Sequence, residues 1–202
     1  MEKNLSGLKY ILAGVSVMIL SSLALDVSQL FLKNSIVNWA DCLVHGLGWV
    51  MVFLGISKCR KNRKEFKIAQ LAAVAGLISA VGQVLFAFKE YRAGLADIAF
   101  IDIKVMFFEY VGLLAMLYVL YMTMVGTAQL LAKNGLTKRA AKAKKTAYTC
   151  VLITLGTCML TPFAYVFPTA LKIIVAGASI ALGAAAQFYM ANYINTGYKK
   201  LI

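Results

Sequence analysis

Long apolar stretches alternate with short polar and charged segments along the whole chain. Six of these stretches approach the ~20 residues that an α-helix needs to cross the hydrocarbon core of a bilayer. The pattern therefore predicts an all-α polytopic membrane protein, a bundle of six transmembrane helices that forms a single transmembrane domain over residues 1–202. The predicted spans are approximately 8–25, 36–57, 68–88, 105–131, 146–163 and 169–193.

The first apolar stretch has a second interpretation. It has a basic start, an apolar centre and small residues at Ser22 and Ala24, and a cleavable secretion signal shows the same pattern. We favour the first transmembrane span.

Composition agrees with the hydropathy pattern. Hydrophobic residues make up 61% of the chain and the mean hydropathy is +0.78, while only 14% of the residues are charged. Soluble domains of ordinary composition carry about a quarter charged residues, so a chain this poor in charge is expected inside a membrane rather than in water.

The net charge of +13 is informative because the charged residues are unevenly distributed along the chain. One side of the predicted bundle carries sixteen of the 21 basic residues and two of the eight acidic ones, a net +14. The other side carries five basic and six acidic residues, a net −1. The positive-inside rule then places both termini in the cytoplasm, and nucleic-acid binding is not needed to explain the charge.

Two basic segments, 58–67 and 133–145, are predicted to connect spans on the cytoplasmic side. They either lie against anionic lipid or form a docking surface for another membrane protein or an ATPase. On the outer side, 89–104 is a longer connection. Segment 161–168 contains Pro162 and Pro168, which predicts a tight turn or, alternatively, a broken helix that lines a cavity.

Enzymatic chemistry has little support in the sequence. There is no P-loop, no GxSxG, no HExxH and no glycine-rich dinucleotide fingerprint. The four cysteines show no CxxC or zinc spacing and are expected to be free thiols. We therefore predict no cofactor, and an intramembrane enzyme is only the third hypothesis, behind the two functions given below.

Polar residues recur every three or four positions in each predicted span. Since lipid-facing positions tolerate almost no polarity, such periodicity marks the interior of a bundle. The predicted inner edges comprise Ser22 and Asp26; Asn38, Asp41, His45 and Gly48; Gly76, Ser79, Gln83 and Glu90; Asp102, Glu109 and Gly112; Cys150, Thr154, Thr157, Cys158 and Thr161; and Ser179, Gly183 and Gln187.

The depth of the ionisable groups points to a candidate site. At 1.5 Å per residue, Asp41 and His45 lie roughly 8 and 13 Å below the outer end of their span, and Glu109 roughly 6 Å below its own. The predicted ligand-binding set is an acidic, outward-opening cavity formed by Asp26, Asp41, His45, Gln83, Asp102 and Glu109.

Asp41 and His45 allow three interpretations. In the first, they satisfy each other and nearby hydroxyls and serve only to fix helix packing. They could instead line a water-filled cavity that binds a polar or cationic solute or passes protons. The third interpretation is a metal site with Glu109 and Asp102, although a single histidine without a nearby cysteine makes a weak zinc set.

The stretch "WADCLVHGLGWVMVFLGISKCRKNRKEFKIAQLAAVAGLI", residues 39–78, resembles an uncharacterised family of small multispanning membrane proteins of Gram-positive bacteria. The matching positions are Asp41, Gly48, Trp49, Gly55, Ser57, Lys58, Phe66, Lys67 and Ala69. This resemblance implies a bacterial cytoplasmic membrane.

The length, six spans and cytoplasmic termini also resemble the substrate-capture subunits of energy-coupling-factor vitamin importers. That resemblance implies a docking role for small residues of the first span, here Ala13 and Gly14. The leading hypothesis is binding or transport of a small polar or cationic solute. The alternative is an accessory or immunity-type subunit that contacts another membrane protein, with buried polar groups that are purely structural.

Overall fold

The computed structural model describes residues 5–31, 35–61, 63–92, 103–164 and 167–201, and at 25–31, 35–41, 87–92, 103–106, 161–164 and 169–170 it describes the backbone alone. These described residues form six α-helices and no strand. The helices are α1 (Gly7–Phe31), α2 (Ser35–Cys59), α3 (Lys64–Arg92), α4 (Ile103–Lys133), α5 (Thr137–Ala164) and α6 (Thr169–Leu201). The all-α prediction is confirmed, and each predicted span falls within one helix.

Five of the six helices, α1 to α4 and α6, are long and apolar enough to cross a membrane. In α5 the first turns are basic and end in Lys144 and Lys145, directly before the apolar stretch that begins at Thr146. The helices are compatible with a multi-pass membrane protein.

Two predicted connections are shorter than the sequence suggested. Residues 137–145 belong to α5 rather than to a loop, because alanine and lysine are strong helix formers. At the other end α5 continues to Ala164, so Pro162 lies in its last turn and the predicted turn over 161–168 is wrong for 161–164. Pro168 does immediately precede α6, where its carbonyl accepts a hydrogen bond from the Lys172 N–H at 2.9 Å.

A glycine ends α4. Gly135 has a φ of 85°, a left-handed conformation that glycine adopts without steric cost. The Leu136 N–H donates to the Leu131 carbonyl at 3.0 Å, and the Gly135 N–H donates to the Ala132 carbonyl at 3.1 Å. This pair of bonds is a Schellman motif, and it turns the chain from α4 into α5 within three residues.

The chain divides into two compact units, Met1–Val119 and Leu120–Ile202, with the boundary inside α4. In the first unit α1 packs on α2 and α2 packs on α3, and α3 contacts the first half of α4. In the second unit α5 packs on α6, and Gly197 of α6 lies against Thr127 of α4.

The predicted polar edges are buried at most of the positions whose side chains are described. The buried set comprises Gly48, Gly76, Ser79, Gln83, Gly112, Cys150, Thr154, Thr157, Ser179, Gly183 and Gln187. Large apolar side chains such as Leu47, Leu71 and Leu182 are exposed instead. Polar side chains that are buried and large apolar side chains that are exposed are the arrangement expected in lipid. All four cysteines are thiols, as predicted.

Candidate functional site

The imidazole of His45 hydrogen-bonds to a hydroxyl of the neighbouring helix. Its Nε2 lies 3.0 Å from the Oγ of Ser22 on α1, and both side chains are half-buried. Which of the two groups donates depends on the tautomer of the imidazole. The bond joins α1 to the first half of α2.

Close helix approach makes this bond possible. A Cβ atom placed on Gly14 of α1 would lie 2.5 Å from the Gly48 carbonyl oxygen of α2, so only glycine fits there. Gly7 and Gly55 meet in the same way two turns further toward the basic side. Since the two backbones touch, short side chains such as that of Ser22 can reach across the interface.

A second polar contact joins α3 to α4. The Ser79 hydroxyl donates to the Phe108 carbonyl. Gly112 leaves room for both polar groups of α3, since a Cβ there would lie 2.9 Å from Ser79 Oγ and 3.6 Å from Gln83 Nε2. Gln83 is therefore buried against α4, and it keeps only 8% of its surface exposed.

Aromatic rings pack beside this contact between α3 and α4. The ring of Phe108 packs on Gly82 and stacks on Phe86 with centroids 5.7 Å apart. Phe107 meets Phe108 edge to face at 5.5 Å. Glu109 follows directly on α4, and its side chain is exposed. Glu109 of α4 therefore presents an exposed carboxylate, whereas Gln83 of α3 presents a buried amide.

The remaining predicted acids fall outside the described side chains. Asp26 and Asp41 lie within α1 and α2, where only the backbone is described, and Asp102 lies outside the described residues. Since α2 runs without a break from Ser35 to Cys59, positions 41 and 45 stand about one turn apart on it.

The metal hypothesis stays a prediction. Among the residues that the structure describes, no group of three or more histidine, cysteine, aspartate or glutamate side chains could hold a metal ion. The proposed set of Asp41, His45 and Glu109 includes one side chain beyond that description.

The threonines of α5 satisfy their own hydroxyls. Thr154 donates to the Cys150 carbonyl at 3.0 Å, and Thr157 donates to the Thr154 carbonyl at 2.9 Å. Gly183 of α6 leaves space for the Thr157 hydroxyl, because a Cβ there would lie 2.8 Å from it. These contacts give the threonines of α5 a role in helix packing.

Sequence reasoning missed several contacts on the basic side. The Gln70 amide of α3 donates to the Ser57 hydroxyl of α2 at 3.1 Å, and the Lys58 ammonium lies 3.9 Å from the centroid of the Tyr10 ring. An antiparallel register for α2 and α3 would have indicated the first contact, because Trp49 and Gly76 also meet in that register.

Comparison with known proteins adds no identity to this geometry. The chain matches no model of a protein family, no curated protein and no solved structure. The resemblance of residues 39–78 to membrane proteins of Gram-positive bacteria stays a resemblance.

Proposed function

We propose that this chain is a six-span protein of the bacterial cytoplasmic membrane that binds or transports a small polar or cationic solute arriving from outside. The basic segments would face the cytoplasm together with both termini. In this proposal α5 also crosses the membrane, in addition to the five helices that are long and apolar enough to do so.

The observation that carries the proposal is the half-buried His45–Ser22 pair. A polar group at this depth costs a few kcal/mol in lipid unless it is paired or hydrated, and intermediate exposure leaves the imidazole within reach of a solute. Asp41 and Glu109 would supply negative charge, and Gln83 a neutral amide. Asp26 and Asp102 would extend the acidic surface toward the outside.

A thermal-shift screen of the purified protein with small cations, polar solutes and divalent metals tests this proposal. A true ligand at 100 times its Kd stabilises the protein by about 2.7 kcal/mol, which corresponds to a rise in Tm of roughly 5 °C or more. The shift should disappear in Asp41→Asn and in His45→Ala. Gln70→Ala, which removes a polar contact near the basic end of α2 and α3, should retain it. Equal shifts in all four proteins would remove the site.

A second function is favoured by a different observation. Two buried hydroxyls of α3 and α5 find partners within the chain: Ser79 donates to the Phe108 carbonyl and Thr154 to the Cys150 carbonyl. Polar edges satisfied in this way need no ligand, which suits an accessory subunit that contacts another membrane protein. Gly14 is buried against α2, whereas Ala13 is exposed. Copurification of a partner such as an ATPase, abolished by Ala13→Trp and kept in Ala24→Trp, would favour this function.

A further inference from the structure

A shallow groove crosses the surface between α4 and α5 in the second unit. It is open to the surface and is lined by Tyr121 of α4 and by Ala141, Lys144, Lys145 and Tyr148 of α5. The α5 positions follow a spacing of three to four residues, which places them on one face of the helix.

Charge in this unit is of one sign. No aspartate or glutamate follows Glu109 in the sequence, so the second unit, Leu120–Ile202, contains nine basic side chains and no acidic one. Lys144 and Lys145 are both exposed. No side-chain carboxylate of this unit can neutralise them, so the groove is electrostatically complementary to an anion.

The groove lies at the boundary between the basic and the apolar part of α5. The apolar stretch begins at Thr146, directly after the two lysines, and Tyr148 stands just inside it. Tyrosine concentrates at the headgroup level of membranes, and basic residues there attract anionic lipids. An ammonium pair beside tyrosine rings matches a phosphate that carries an apolar tail.

We infer that the groove binds the headgroup of an anionic phospholipid. The ammonium groups of Lys144 and Lys145 bind the phosphate, and the rings of Tyr121 and Tyr148 pack against the glycerol and the first methylene groups of the acyl chains. This inference does not depend on the solute site of the first unit.

Lipid binding to the purified protein tests the groove directly. Delipidated protein is titrated with phosphatidylglycerol, and occupancy is measured by native mass spectrometry; phosphatidylcholine and inorganic phosphate serve as the zwitterionic and the tail-free probes. The test variant is Lys144→Gln/Lys145→Gln. The matched control is Lys138→Gln/Lys142→Gln, which removes the same charge from exposed positions of α5 outside the groove lining.

We expect the protein to bind phosphatidylglycerol in preference to both other probes. The groove variant should bind it at least roughly tenfold more weakly, since each lysine near an anionic surface contributes several-fold. The control pair should lose less than about threefold, and Lys144→Arg/Lys145→Arg should bind as the wild type does. Circular dichroism of each variant confirms that the helices are retained.

Two results would overturn the inference. If the groove variant and the control lost equal affinity for phosphatidylglycerol, the binding would be diffuse electrostatic attraction. The basic surface would then be better explained as a docking surface for a partner protein. Inorganic phosphate that displaces phosphatidylglycerol at comparable concentration would show a free-anion site instead of a lipid site.

Discussion

The two helix pairs α1–α2 and α5–α6 solve the same packing problem with different contacts. Each pair is antiparallel, and each places a basic side chain over a tyrosine ring: Lys58 over Tyr10 at 3.9 Å and Arg139 over Tyr193 at 5.3 Å. In α1–α2, however, glycines of both helices meet backbone to backbone, whereas in α5–α6 a glycine meets a threonine side chain.

The difference is one of tolerance. A hydroxyl can rotate away from an added methyl group, but a carbonyl of the opposing backbone moves only if the whole helix moves. The stability of the first pair should therefore fall far more than that of the second when a glycine at the contact is replaced by a slightly larger residue.

The largest loss is expected for Gly14→Ala. The new Cβ would lie 2.5 Å from the Gly48 carbonyl oxygen, and overpacking of this kind costs about 1–3 kcal/mol, so Tm in detergent should fall by roughly 5 °C. The control is Gly46→Ala on α2, where a Cβ meets nothing within 4 Å. Equal thermal stability of the two variants would contradict the backbone contact.

A smaller loss, about 1 kcal/mol, is expected for Gly183→Ala in the second pair. The added methyl meets the Thr157 hydroxyl, so Thr157→Ala should restore most of the lost stability, and a double-mutant cycle by thermal unfolding measures that coupling. Gly177→Ala, which meets nothing within 4 Å on the same helix, is the control. Additive effects would show that the two residues do not press on each other.

Ser22→Ala should cost about 1 kcal/mol or slightly less, because it removes the 3.0 Å bond to His45. In the double variant with His45→Ala the serine substitution should cost little, since its partner is already gone. Ser16→Ala, also half-buried on α1, should show no dependence on His45. Unfolding curves for the four proteins of each cycle give these energies.

The smallest effect is expected for Tyr193→Phe, a loss of about 0.5 kcal/mol. It removes the hydroxyl that donates to the Arg139 carbonyl at 3.1 Å but keeps the ring beneath the guanidinium. Tyr193→Leu also loses the ring and should cost about 0.5–1 kcal/mol more. Tyr189→Phe, at an exposed position of α6, should leave the Tm unchanged; a comparable loss there would mean that the hydroxyl bond contributes nothing specific.

The sequence was sufficient for the existence of all six helices, since continuous apolar runs leave the backbone no other way to satisfy its hydrogen bonds in lipid. It also predicted most of the buried edges, because polar residues repeat at helical spacing within a span, as Cys150, Thr154 and Thr157 do in α5. The ends of some helices were not predicted, because hydropathy detects only the apolar centre of a helix. α5, for example, begins at Thr137 in a charged segment that hydropathy does not mark as helical.

The candidate site was only partly predictable. Spacing placed His45 on a polar edge but could not reveal Ser22 as its partner, because that pairing depends on the register between α1 and α2. The register follows from Gly14 opposite Gly48, a backbone contact that becomes visible only when both helices are positioned. The exposure of Glu109 likewise depends on how α4 is rotated, which hydropathy does not determine.

The seven-residue spacing from Gly7 to Gly14 and from Gly48 to Gly55 has a consequence for motion. Two such backbone contacts, two turns apart, restrict the motion of α1 against α2. If either helix slid or rotated, its backbone would clash with that of the other. Any larger movement of either helix is therefore expected to carry α1 and α2 together as one rigid pair.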